Sequence, residues 1–185
     1  MSSNYIRQAL QGLVLIILQL IIFRNIALFD VAFCFVYIGI LLFLPVETDR
    51  IVALIFAFIL GLLIDVFYNS LGIHASSAVF LAFIRYFWIK AIMPQGGYEG
   101  NISLNISNMG FQWFTSYAVP IIFVHHLMLF FLEAGGVTHF GYTFLKIILS
   151  SFITFFVIAL VQMLFFSNKN SGIKLKLYLN SGRLV

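Results

Sequence analysis

From Ile51 to Tyr68 the chain is apolar except for one charged side chain, Asp65, and comparable runs recur along most of its length. Apolar stretches of helical length lie at about Ile6 to Phe23, Leu28 to Leu44, Ile51 to Tyr68, Gly72 to Met93, Phe114 to Leu132 and Phe140 to Phe166. A helix needs roughly 20 residues to cross about 30 Å of hydrocarbon at about 1.5 Å per residue. Such runs predict an all-α integral membrane protein of about six transmembrane helices, because backbone polar groups in lipid must be satisfied within the protein. Composition agrees: 63% of the 185 residues are hydrophobic and 9% are charged, against roughly 45–50% apolar and 25% charged in soluble domains. The expected organisation is one polytopic transmembrane domain over 1–166 and a basic cytoplasmic tail over 167–185. A lone cysteine, Cys34, excludes an intramolecular disulfide. The net charge of +4 concerns anionic membrane lipid and not nucleic acid.

Asp30 cuts the second run, and Val31 to Leu44 alone would cover only about 21 Å as a helix. That segment is therefore either a tilted span or partly re-entrant. Six spans with both termini cytoplasmic put Arg7, Arg50, Arg85, Lys90, Lys169, Lys174, Lys176 and Arg183 toward the inner side, leaving Arg24 and Lys146 toward the outer. Arg85 is expected to snorkel to the inner surface beside Trp88 and Lys90. Arg7 precedes the first run without a small-residue cleavage pattern, which predicts a retained first helix.

A carboxylate at the centre of a lipid-embedded helix costs about 2.5–3.5 kcal/mol on insertion scales, so Asp65 needs a local reason. Counting back in fours gives Gly61, Ala57 and Ala53, a small-residue stripe on the same helix face that lets another backbone come close. Asp65 is thus aimed at other helices, near the outer end of its span. Its expected partners are Arg24 as an ion pair, His74 across a tight connection, and the unpaired N–H groups at the start of the next helix. Asn69, Ser70 and Gly72 suit a short reversal. Asp65 serves either as a structural anchor or in a ligand, ion or proton pathway.

Gly61, Asp65 four residues on, and then Leu-Gly-Ile-His ending at His74, in the middle of a six-span chain of this size, resemble the rod shape-determining protein MreD family of bacteria. The acidic turn Pro45-Val-Glu-Thr-Asp-Arg50 and a short second span with an early Asp follow the same order. The resemblance implies a multi-pass protein of the bacterial inner membrane; because no nucleophile, paired carboxylate or phosphate-cradling glycine loop accompanies Asp65 and His74, no catalysis, cofactor or metal is expected. It would bind the single-span protein MreC and associate with the cytoskeletal and wall-synthesis proteins of the elongation complex. The interaction motif carried over is Gly61, Asp65, Gly72 and His74. The family's membrane fold is itself similar to the substrate-binding S-components of vitamin transporters, which supplies the alternative function, uptake of a small nutrient. S-components commonly carry an Ala-x-x-x-Ala pattern on the first helix, where this chain has Gln8, Gln11, Gly12 and Gln19.

Gln11 and Gln19 share one side of the first span, and amides in the bilayer seek partners on other helices. They are either glue within the bundle or, with Ala53 and Ala57, a face for a partner helix. Ser150, Thr154 and Gln162 repeat that pattern at multiples of four in the last span. His125 and His126 point about 100° apart, and Glu133 lies two turns, about 10 Å, further on, which argues against one shared metal ion. One imidazole is expected to face the bundle and the other the outer interface. The tail Ile173-Lys-Leu-Lys-Leu-Tyr-Leu-Asn180 alternates in the manner of a strand and is cationic, fitting a frayed end, an anionic leaflet or a partner's sheet edge.

Overall fold

The computed structural model describes residues 2–28, 31–93, 102–135 and 140–165; Asp30, His139 and the tail expected at 167–185 lie outside the described residues. In chain order the elements are α1 (Ser2–Ile21), a 3-10 turn (Phe23–Asn25), β1 (Ala27–Leu28), β2 (Ala32–Phe33), α2 (Ile38–Leu42), α3 (Arg50–Tyr68), α4 (Ile73–Ile92), α5 (Ile106–Met109), α6 (Phe111–Glu133) and α7 (Phe140–Phe165). The chain is mostly helical, and among the described residues five helical windows are long and apolar enough to cross a membrane: Gln8–Asn25, Arg50–Tyr68, Ile73–Ile92, Phe111–Glu133 and Phe140–Leu164.

The expected second span is not one of them. Leu28 ends β1, which pairs antiparallel with β2 in the register Ala27↔Phe33 and Leu28↔Ala32. The chain then turns through Phe35 to Tyr37 into the single helical turn and a half of α2. This stretch runs antiparallel to α1. Gln19 reaches Cys34 and Tyr37, Leu15 packs over Gly39, Ile40 lies over Gly12, and Pro45 bridges Ser103, which accepts a hydrogen bond from Gln8. From Cys34 to Phe43 every residue but Ile40 is buried. Irregular backbone at membrane depth persists only where protein encloses it, and here it occupies the middle of the bundle.

α3 and α4 form the tightest helix pair. Ala53, Ala57, Gly61 and Asp65 are buried on α3, facing Ala75, Ala78 and Ala82 on α4. A Cβ on Gly61 would lie 2.4 Å from the Cα of Ala75 and 2.8 Å from the His74 carbonyl oxygen, so only glycine permits this approach. α4 packs on α6, α6 on α7, and α7 on β2. α1 is the outlying member: 17% of its membrane window is buried, against 33–44% in the other four.

Candidate functional site

α3 ends where Asn69 adopts a left-handed conformation (φ 54°) and its N–H returns to the Asp65 carbonyl. Gly72 (φ 83°) then opens α4 and, having no side chain, offers no cap of its own. Asp65 supplies one from the preceding helix: its Oδ1 accepts from the His74 N–H at 3.0 Å and its Oδ2 from the Ala75 N–H at 2.9 Å. Those are the second and third amides of α4, the groups that an N-cap side chain ordinarily satisfies, at a dipole end that favours an anion. Ser70 Oγ donates to Oδ1 at 2.5 Å, and His74 Nδ1 lies 3.1 Å from Oδ1 and 2.9 Å from Ser70 Oγ. With the serine proton given to the carboxylate, Nδ1–H is the remaining donor. His74 Nε2 therefore carries the lone pair, and it has no partner among the described residues. Around it stand the rings of Tyr68, Phe35 and Tyr37, at 4.9, 5.4 and 6.0 Å between centroids.

The structure brings Gly61, Asp65, Gly72 and His74 into this one knot: Gly61 admits the α4 backbone, Asp65 caps it, Gly72 reverses the chain and His74 closes the carboxylate. Arg24 does not join it. Exposed on the 3-10 turn, it forms no ion pair with Asp65, whose contacts among the described residues are Ser70, His74 and Ala75. The helix start and the imidazole already saturate the carboxylate, leaving no buried position for a guanidinium.

A second polar constellation holds the broken stretch after β2. Phe33 N–H donates to Ser150 Oγ at 2.9 Å and Phe35 N–H to Thr154 Oγ1 at 3.0 Å. Two residues of extended chain span roughly 6.6 Å and four residues of helix about 6 Å, so hydroxyls four apart on α7 meet alternate amides of the strand. Gln19 serves the other side: its Nε2 donates to the Cys34 carbonyl at 3.2 Å and to Tyr68 Oη at 2.5 Å, and its Oε1 accepts from the Tyr37 N–H at 3.3 Å. Where the stretch leaves the bundle, Tyr117 Oη donates to the Leu42 carbonyl at 2.9 Å, and Arg85 Nη2 donates to the carbonyls of Leu44 and Pro45. Arg85 thus turns inward and is 4% exposed; the expected snorkel is overruled by carbonyls that the helix break leaves open.

Both histidines of α6 are fully buried, which corrects the expectation of one at the interface, because the broken stretch and α7 enclose that part of α6. His125 Nε2 meets Tyr37 Oη at 2.8 Å. His126 Nδ1 donates to the Ile122 carbonyl at 2.8 Å, leaving Nε2 to accept from Thr154 Oγ1 at 3.3 Å. Gln162 accepts from the Ile106 N–H at 2.8 Å at the start of α5. Gln11 differs from Gln19. It lines an open groove of about 540 Å³ between α1 and α3, together with Gln8, Gly12, Phe56, Leu60 and Leu63. Glu133 pairs with Lys146 at 3.0 Å near the surface. The spacing of Ser150 and Thr154 was visible in the sequence; that their partner is unwound backbone was not. No family model, curated protein or solved structure matches this chain.

Proposed function

We propose that this chain is a non-catalytic scaffold of the bacterial wall-elongation machinery, placed in the inner membrane and presenting a lateral helix surface to a single-span protein of the MreC type. The observation that carries this reading is the closure of the Gly61–Asp65–Gly72–His74 knot. Its carboxylate is spent on Ser70, His74 and Ala75, so the acidic group of the motif shapes a helix hairpin. The surface left for function is apolar: Ile55, Phe58, Ile59 and Val66 on α3, and Phe152, Phe156 and Met163 on α7, are exposed.

In this reading the stretch from Cys34 to Leu44 is the sixth crossing, made by backbone that is only partly helical, and both termini are cytoplasmic. The ends fit that arrangement. Arg50, Arg85 and Lys90 lie toward the end where α1 and α3 begin, and Arg24 and Lys146 toward the opposite end. The rival reading, a vitamin-binding subunit with an S-component-like fold, is favoured by the size of the groove beside α1, which falls within roughly 300–1,000 Å³. Its polar lining argues against it, since Gln8 and Gln11 both come from one helix and nothing polar converges from α2 or α3.

Affinity purification of the tagged protein from its native membrane in mild detergent, with proteins and small molecules identified by mass spectrometry, separates the two. A single-span MreC-like protein or wall synthases are expected. A small metabolite accompanied by transporter ATPases would overturn the scaffold reading.

A further inference from the structure

Between the start of α3 and the end of α4 lies a small pocket of about 80 Å³, whose lining includes Arg50, Arg85, Tyr86 and Lys90. Among the described residues, three cations and no carboxylate face it. The two ion pairs among the described residues, Asp65–His74 and Glu133–Lys146, lie elsewhere. The acidic residues of the adjoining turn do not compensate. Glu47 is exposed, and Asp49 uses its Oδ1 to cap the Ile51 and Val52 amides at 2.8 and 3.2 Å.

Among the described residues, each cation is held in place without an anion. The Arg50 guanidinium sits 4.9 Å from the Phe83 ring centroid and 5.2 Å from those of Tyr86 and Phe87. Lys90 Nζ lies 4.4 Å from the Tyr86 centroid, so two cations share one ring. Arg85 is the most constrained. It is buried, its Nε donates to Tyr117 Oη at 2.8 Å, and its Nη2 donates to the Leu44 and Pro45 carbonyls. Its Nη1 has no acceptor among the described residues. A buried guanidinium without a counter-ion is costly, and a planar fork with open donors suits phosphate.

We propose that this pocket binds a phosphate group, with Arg85 as the fixed floor and Arg50 and Lys90 as the side walls. The pocket is of the size of one such group, it opens between two helices, and aromatic and apolar side chains line its rim, where acyl chains pass. Basic pockets between membrane helices hold phospholipid head groups in this manner. The same chemistry would accept free phosphate. The site does not depend on the scaffold reading.

The test is thermal unfolding of the full chain in neutral detergent with phosphatidylglycerol, with diacylglycerol of the same acyl chains, or with inorganic phosphate against chloride at equal ionic strength. Phosphatidylglycerol is expected to raise Tm saturably by about 3 °C, diacylglycerol to leave it unchanged, and the double variant Arg50→Gln/Lys90→Gln to lose the rise. If inorganic phosphate alone reproduces the rise, the site takes a free anion; if only the lipid does, it takes a head group. An equal rise with diacylglycerol, or a full rise in the double variant, overturns the proposal. Should the double variant fail to fold, Lys90→Gln alone, at an exposed position, is expected to raise the half-saturating lipid concentration about five-fold. An unchanged concentration would equally overturn it.

Discussion

The hairpin of α3 and α4 and the broken stretch from β2 to α2 solve the same problem, polar groups buried among apolar helices, by opposite means. In the hairpin the polar group is a side chain, and its partners lie five to ten residues further along the chain. In the broken stretch the polar groups are backbone, and their partners lie 15 residues away on α1, 75 on α6, and 117 and 119 on α7. A local solution needs only two helices and a turn. A distributed one needs most of the bundle in place, and it converts five separate polar side chains into a support for one irregular segment.

That contrast is broken most forcefully at Asp65. Asp65→Ala leaves the His74 and Ala75 amides buried without acceptors, at about 1–3 kcal/mol each, and is expected to cost on the order of 4 kcal/mol in denaturing-detergent unfolding while insertion persists. A loss under about 1 kcal/mol would mean that water reaches the turn and the knot is not sealed. The distributed support is expected to give less ground. Removing both hydroxyls of α7 with Ser150→Ala and Thr154→Val should cost about 2–3 kcal/mol and speed hydrogen exchange at Phe33 and Phe35, with the His74 and Ala75 amides still protected. Equal acceleration in both regions would show one cooperative unit in place of two. The smallest effect is expected at Gly72, whose φ of 83° penalises a side chain: Gly72→Ala should lose about 1 kcal/mol, and no loss would mean that the turn relaxes freely.

The two regions also differed in how well the sequence revealed them. The hairpin could be read from Gly61 to His74 because every element of it, the small-residue stripe, the carboxylate, the turn formers and the open helix start, is local and periodic. Five long helices followed from hydropathy for the same reason. The broken stretch was visible only as a weak second run. Gln19, Ser150 and Thr154 were conspicuous as polar residues in apolar helices, but periodicity reports which face a side chain takes and not which distant backbone lies open opposite it. Arg85 shows the limit most plainly: a cation about two turns from the end of a span looks like a snorkel until the carbonyls of Leu44 and Pro45 are placed beside it. Arg24 failed in the reverse sense, a plausible charge for Asp65 excluded by closer neighbours.

The register between β2 and α7 bears on the order in which the protein is assembled. A chain emerging N-terminus first produces the Phe33 and Phe35 amides long before Ser150 and Thr154 exist to receive them. Gln19 is already present, but it serves Cys34 and Tyr37. Until α7 is in place, neither amide has the acceptor it holds in the folded bundle, whereas the α3–α4 hairpin already has all of its own. α7 is thus the bolt on the broken stretch, and its packing is the event that completes the hydrogen bonds of that segment.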